Sequence, residues 1–197
     1  MKGLSRWLLR RTGWRIQGAP ARPARYILVA APHTSNWDLL WLLLMAWATD
    51  IPISWLGKHS LFRWPLGVVL RALGGVPVVR HRREDRVAST AATFATREEM
   101  VLVIPPEGTR SRTDYWKSGF YHIARTAGVP VVPTALDYAR KVGEFGAPVS
   151  AEDDVVVFMD AMRAFYADRS GRYPERFGPV RLREESASTV VAASESA

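Results

Sequence analysis

Residues 26–31 read Tyr-Ile-Leu-Val-Ala-Ala, and residues 32–38 continue Pro-His-Thr-Ser-Asn-Trp-Asp. The first run is apolar throughout and bounded by turn residues, which describes a buried strand. Leu39 to Ala48 is then a second apolar run of ten residues, closed by Thr49-Asp50. A helix over 38–48 fits it, entered through Thr34, Ser35 and Asn36, residue types that cap helix N-termini. Strand, polar turn, helix: this junction sets the architecture, and the chain downstream repeats it.

Downstream, Ile53–Leu56 reads as a short strand, and Leu66–Leu73 as a helix stopped by Gly74-Gly75. Val76–Val79 is a strand, Ala88–Glu99 an Ala/Thr-rich helix and Val101–Ile104 a strand. Phe120–Ala127 is helical up to Gly128, where a glycine cap belongs. Val129–Leu136 is another strand. Over Asp154–Ala167, Val155, Phe158, Met159, Met162, Phe165 and Tyr166 recur at helical spacing and face a core. Strands alternating with helices of 8–15 residues predict an α/β fold: one domain with a mostly parallel central sheet flanked by helices. The expected divisions are a basic amphipathic segment at 1–25, with a Gly/Ala/Pro linker from Gly18 to Pro23, a domain at 26–185, and a disordered Ser/Ala/Glu tail at 186–197.

A chain of 197 residues is enough for one domain with a real core. It has no cysteine, so disulfides and thiolate–metal sites are excluded. Its net charge of +8 is uneven. Lys2, Arg6, Arg10, Arg11, Arg15, Arg22 and Arg25 precede the first strand with no acid among them, which points to an anionic partner, either nucleic acid or a phospholipid surface. Leu4, Trp7 and Leu8 share one helical face in residues 3–11. That helix either lies at a lipid interface or docks on its own domain. Trp7-Leu8-Leu9 is too short for a signal peptide, and the ten-residue run at 39–48 is about half a membrane span. No GxxxxGK[ST], GxGxxG, HExxH or GxSxG occurs, which removes the usual support for nucleotide triphosphatases, dinucleotide dehydrogenases, zincins and α/β-hydrolases.

The chemistry-bearing residues sit where strands end. His33 and Asp38 are five residues apart; in a continuous helix they would point about 140° apart. They meet only if His33 lies in the loop and Asp38 in the first helical turn. An Asp holding one imidazole nitrogen then leaves the other as a general base. Ser35-Asn36-Trp37-Asp38 equally fits a capping box, in which Asp38 merely starts the helix. After the strand at 101–104 come Pro105-Pro106 and Glu107-Gly108-Thr109-Arg110-Ser111. The glycine permits close approach there, and the hydroxyls with Arg110 suit a phosphate or polar headgroup. Arg80 ends the strand after Gly74-Gly75, again at the carboxyl end where parallel sheets bind ligands. His59, His81 and His122 show no metal-ligand spacing.

In this order, His33-xxxx-Asp38, Gly74…Arg80, Pro106-Glu107-Gly108-Thr109-Arg110-Ser111, Lys117-x-Gly119 and Val131-Val132-Pro133 resemble the glycerolphosphate and lysophosphatidate acyltransferase superfamily. Gly57-Lys58-His59-Ser60-Leu61-Phe62, with Pro65 and Gly67, resembles that family's connecting stretch. Pro105, Pro77 and Val79 depart from its commoner aromatic and polar residues and bear on acceptor choice. The short chain looks like a minimal catalytic core.

The resemblance implies transfer of a fatty acyl group from a thioester, acyl-CoA or acyl carrier protein, to a hydroxyl of lysophosphatidate or a related lysolipid. Other lysophospholipids, aminolipids or glycolipids, and a non-catalytic lipid-binding role, are the alternatives. It implies His33 as base and Asp38 as its partner, and Arg80, Glu107, Gly108, Thr109 and Arg110 around the acceptor, with Lys58 a further phosphate contact. No metal or cofactor is implied beyond the thioester co-substrate. The partners implied are the thioester donor, acyl carrier protein in one version, the lysolipid and an anionic membrane; nucleic acid is not among them, since no recognised binding module is visible. The expected place is the cytoplasm, on the inner face of the membrane. Trp7 and Trp14, with Trp37, fit an interface; Trp41 and Trp47 are expected in the core or along an acyl groove.

Overall fold

The computed structural model describes residues 1–18, 24–78, 83–152 and 154–185. Helix α1 (Lys2–Thr12) leads into strand β1 (Arg15–Gln17). Then come β2 (Arg25–Ala30), α2 (Trp37–Thr49), β3 (Ile53–Lys58), a 3₁₀ turn at His59–Phe62, α3 (Leu66–Ala72) and β4 (Gly75–Val78). The chain continues through α4 (Arg83–Ala95), β5 (Met100–Ile104), α5 (Gly119–Ala127), β6 (Val131–Asp137), β7 (Val142–Phe145) and α6 (Val155–Tyr166). The seven strands form one sheet in the order β1-β7-β6-β2-β5-β3-β4. From β6 to β4 every pairing is parallel; only β6–β7 is antiparallel. The predicted class, a single α/β domain with a mostly parallel sheet, is the observed one.

Central β2 shows why the apolar runs read as buried strands. Ile27 and Val29 enter a core shared with α4, α5 and α6, while Tyr26 and Leu28 enter a second core against α2. Strands covered on both faces carry no polar alternation. The crossover β2–α2–β3 runs over one face and β5–α5–β6 over the other. Neighbouring β2 and β5 therefore send their following loops to opposite sides, and a crevice opens at their carboxyl ends. In doubly wound sheets, ligands bind at such a switch point.

Most boundaries fall within two residues of the sequence reading, and Gly128 caps α5 with φ 61° as its position predicts. Helix α4 starts five residues before the expected Ala88, because its first turn is polar and carries no apolar periodicity. Strands β1 and β7 were not foreseen: one has three residues, and the other, VGEF, lacks an apolar run. β1 lies inside the basic 1–25 segment yet forms the sheet's edge against β7. Residues 19–23 of the linker and the tail at 186–197 lie outside the described residues.

The N-terminal aromatic reading needs a correction. Trp14 is not interfacial: it is 4% exposed, stacks on Trp41 at 4.9 Å and meets Tyr138 edge-on at 5.1 Å. The αL cap at Gly13 turns the chain back so that Trp14 closes a small core with Leu9 and Leu44. Helix α1 docks through Ser5 and Leu9 and leaves Leu4 and Trp7 in solvent. Trp41 and Trp47 pack against that same core, as expected of them. Among the described residues, no helix is long and apolar enough to cross a membrane.

Candidate active site

The loop after β2 drops His33 into the crevice, and α2 begins four residues later with Asp38 in its first turn. His33 Nδ1 lies 3.1 Å from Asp38 Oδ2. The same Oδ2 accepts the backbone N–H groups of Thr34 (3.0 Å) and Ser35 (2.9 Å). Ser35 Oγ accepts the Trp37 N–H at 3.2 Å, while Asn36 makes no side-chain cap bond. Half a capping box and an imidazole–carboxylate pair thus share one carboxylate, and the two readings of Asp38 prove compatible. Nδ1 is engaged, so Nε2 is the ring nitrogen available to a substrate.

Two further side chains complete the cluster, and both come from far along the chain. Tyr138, the first residue after β6, donates its hydroxyl to Asp38 Oδ1 at 2.7 Å. Burial and the adjacent Asp38 charge push its phenol well above the usual range, so it stays a donor. Glu107, after β5, is 2% exposed, and its Oε1 accepts the His33 backbone N–H at 2.6 Å. Desolvation pushes its carboxyl up to about 7, against the lowering effect of His33. Proximity in sequence gives no sign of Tyr138; only its place just past the carboxyl end of a parallel strand could have marked it.

The remaining predicted residues divide. Gly108 adopts φ 65°, the left-handed conformation that favours glycine, and the flexible end of the Lys117 side chain lies against it. Thr109 and Arg110 are exposed beside it, and Arg110 lines the groove described below. Glu107 is turned inward to the His33 backbone rather than outward with them. Lys58 ends β3, its backbone paired with Val78. Arg80 lies outside the described residues.

The C-terminal segment braces the turn from outside. The Tyr173 N–H donates to Thr34 Oγ1 at 3.2 Å, and Gly171 sits so close to Thr34 and Pro32 that a Cβ would reach Thr34 Oγ1 at 2.7 Å. Arg169 spans to Glu144 through two short contacts, 2.7 and 2.9 Å, holding that segment to β7.

From His33 and Arg110 a groove of about 440 Å³ runs between α2 and the sheet. Its walls are mostly apolar: Leu39, Leu42 and Met45 from α2 and Trp55, Leu136 and Phe145 share the lining with a few polar residues, His33, Asp38 and Arg110 among them. A volume of this size is that of a small-molecule site, and the lining suits a hydrocarbon chain. An imidazole in such a lining has the chemistry to accept a proton from a hydroxyl brought beside it.

Residues 14–137 match the family model described as Acyltransferase. The chain is 28% identical over 171 residues to 1-acyl-sn-glycerol-3-phosphate acyltransferase alpha of Mus musculus, covering 72% of this chain and 57% of that protein. It is 30% identical over 132 residues to 1-acyl-sn-glycerol-3-phosphate acyltransferase of Cocos nucifera, covering 61% of this chain and 40% of that one. The match thus spans 57% and 40% of the length of these two curated relatives. Among solved structures, the 1-acyl-sn-glycerophosphate acyltransferase PlsC of Thermotoga maritima superposes with a TM-score of 0.55 at 18% identity, over 86% of this chain and 80% of that one. The matched segment runs from Trp14 to the last residue of β6 and carries the crevice with it, and the chain belongs to the Acyltransferase family.

Proposed function

We propose that this protein transfers a fatty acyl group from a thioester, acyl-CoA or acyl carrier protein, to a free hydroxyl of lysophosphatidate or a closely related lysolipid. The observation that carries the reading is the His33–Asp38 pair, 3.1 Å apart, at the polar end of the apolar groove.

The acyl chain lies in the groove, where each methylene withdrawn from water contributes about 0.8 kcal/mol. Its thioester carbonyl then rests near His33. His33 Nε2 takes the hydroxyl proton as the oxygen attacks that carbonyl. The tetrahedral intermediate collapses, the carbon–sulfur bond breaks, and the imidazolium returns the proton to the departing thiolate. Asp38 holds the imidazole through Nδ1 and stabilises its charged form. Glu107 fixes the His33 backbone and so sets where the ring enters the crevice. Arg110 offers a planar fork to an acceptor phosphate. The chain has no cysteine and no GxSxG motif, which favours direct transfer over an acyl-enzyme. General base catalysis supplies roughly 10²–10⁴-fold, and alignment of hydroxyl and carbonyl supplies much of the rest.

The test is thiol release from a long-chain acyl-CoA, or from acylated carrier protein, across a panel of lysolipids, with products identified by mass spectrometry. Acceptor-dependent release, fastest with lysophosphatidate, is the expected result. No acceptor-dependent release with either donor contradicts the proposal.

A further inference from the structure

Helix α3 is built as if to be buried, and it is not. Its sequence is Leu-Gly-Val-Val-Leu-Arg-Ala, yet Gly67 is its sole buried residue. Short helices draw their stability from packing an apolar face, and among the described residues α3 packs mainly on the 3₁₀ turn and β4 while most of its apolar side chains stay exposed. Trp64, just before it, is 85% exposed, and Leu61, Leu66, Val68 and Val69 are exposed with it. This concentration is not spread over the molecule. Of the fourteen large hydrophobic side chains exposed among the described residues, six fall between Leu56 and Val69. The face covered by α4, α5 and α6 contributes Val157 and little else.

Charge singles out the occupant. From residue 51 to residue 83 the chain has no Asp or Glu and six Lys or Arg. Arg63 and Arg71 flank the apolar patch directly. An apolar centre with a tryptophan and a cationic rim is complementary to an anionic phospholipid leaflet. The patch also adjoins the groove: Leu56 and Leu61 are solvent-exposed and both belong to the groove lining.

We propose that the 59–72 segment, with Trp64 at its centre, is the surface that inserts into an anionic lipid leaflet, placing the groove mouth at the level of the acyl chains. This rests on the acyltransfer reading above and adds the contact face. A chain leaving the leaflet then passes Leu61 and Leu56 without crossing water, and Leu4 and Trp7 of α1 become a secondary contact.

The absence of cysteine makes the test direct. Trp64→Cys and Val157→Cys each carry one environment-sensitive fluorophore, and both native side chains are exposed, so folding is not at risk. On vesicles of equal parts phosphatidylcholine and phosphatidylglycerol, the label at 64 is expected to shift to the blue and brighten, while the label at 157 stays water-like. Leu66→Ser/Val68→Ser is expected to lower vesicle partitioning about tenfold or more. Thiol release with a soluble short-chain thioester and acceptor is expected to stay at the wild-type rate in that variant. A water-like label at 64 on vesicles that sediment the protein overturns the proposal, as does a failure to sediment at all. A dimer that shields position 64 before vesicles are added also overturns it and makes the face a protein interface. Loss of thiol release in the wild type, with the label still buried by vesicles, removes the acyltransfer reading and leaves the lipid-contact face standing.

Discussion

At the residue scale, the site depends on one carboxylate with no spare capacity. Asp38 Oδ2 takes His33 and two backbone amides, and Oδ1 takes Tyr138. Replacing Tyr138 by Phe leaves Oδ1 unpartnered in a largely buried position. The expected result is a loss of about 1–3 kcal/mol in urea unfolding and a lower turnover, since the carboxylate is freed to move from the imidazole. Glu107 gives a pH signature. Its folded value of about 7 lies above the ordinary 4.5, so the folded chain holds that proton more tightly than the unfolded chain. Its contribution is full below pH 4.5, falls as the pH rises to about 7, and is flat above; the drop is on the order of 3 kcal/mol. Glu107→Gln keeps an acceptor for the His33 N–H and lacks the proton. The difference in unfolding free energy between wild type and variant is therefore expected to move against the wild type across that window. A pH-independent difference contradicts the assignment.

At the element scale, helix α2 does two things: its first turn presents Asp38, and Leu39, Leu42 and Met45, spread over its first three turns, wall the groove. Leu42→Trp adds bulk inside the groove one helical turn beyond Asp38. Turnover is expected to fall steeply for long acyl chains and to hold for short ones in a chain-length series. A uniform fall across all lengths contradicts the groove's role. Much of this scale was legible beforehand. The strands buried on both faces announced themselves as unbroken apolar runs; helix geometry set the condition under which His33 and Asp38 meet, and the resemblance, not the spacing, favoured the pair over the capping box. Strands β1 and β7 were not legible, because short edge strands owe their form to a neighbour rather than to their own pattern. Trp14 misled for a related reason: a tryptophan in a basic segment looks the same whether it meets lipid or, as here, Trp41.

At the scale of the whole molecule, the crevice is a product of topology. β2 and β5 lie side by side and send their loops apart, which brings His33 and Glu107 together across 74 residues. The C-terminal segment and Tyr138, beyond the family match, close on the same turn. Such contacts have no local signature: the resemblance marked Glu107 without showing that it turns to the His33 amide, and nothing marked Tyr138. The central claim is nonetheless a single proton transfer at His33. The measurement that tests it most directly is thiol release by His33→Ala, with long-chain acyl-CoA and lysophosphatidate, alongside a thermal melt. The expected result is a rate lower by roughly 10²–10⁴-fold with the melt little changed. A rate within a few-fold of wild type contradicts the account.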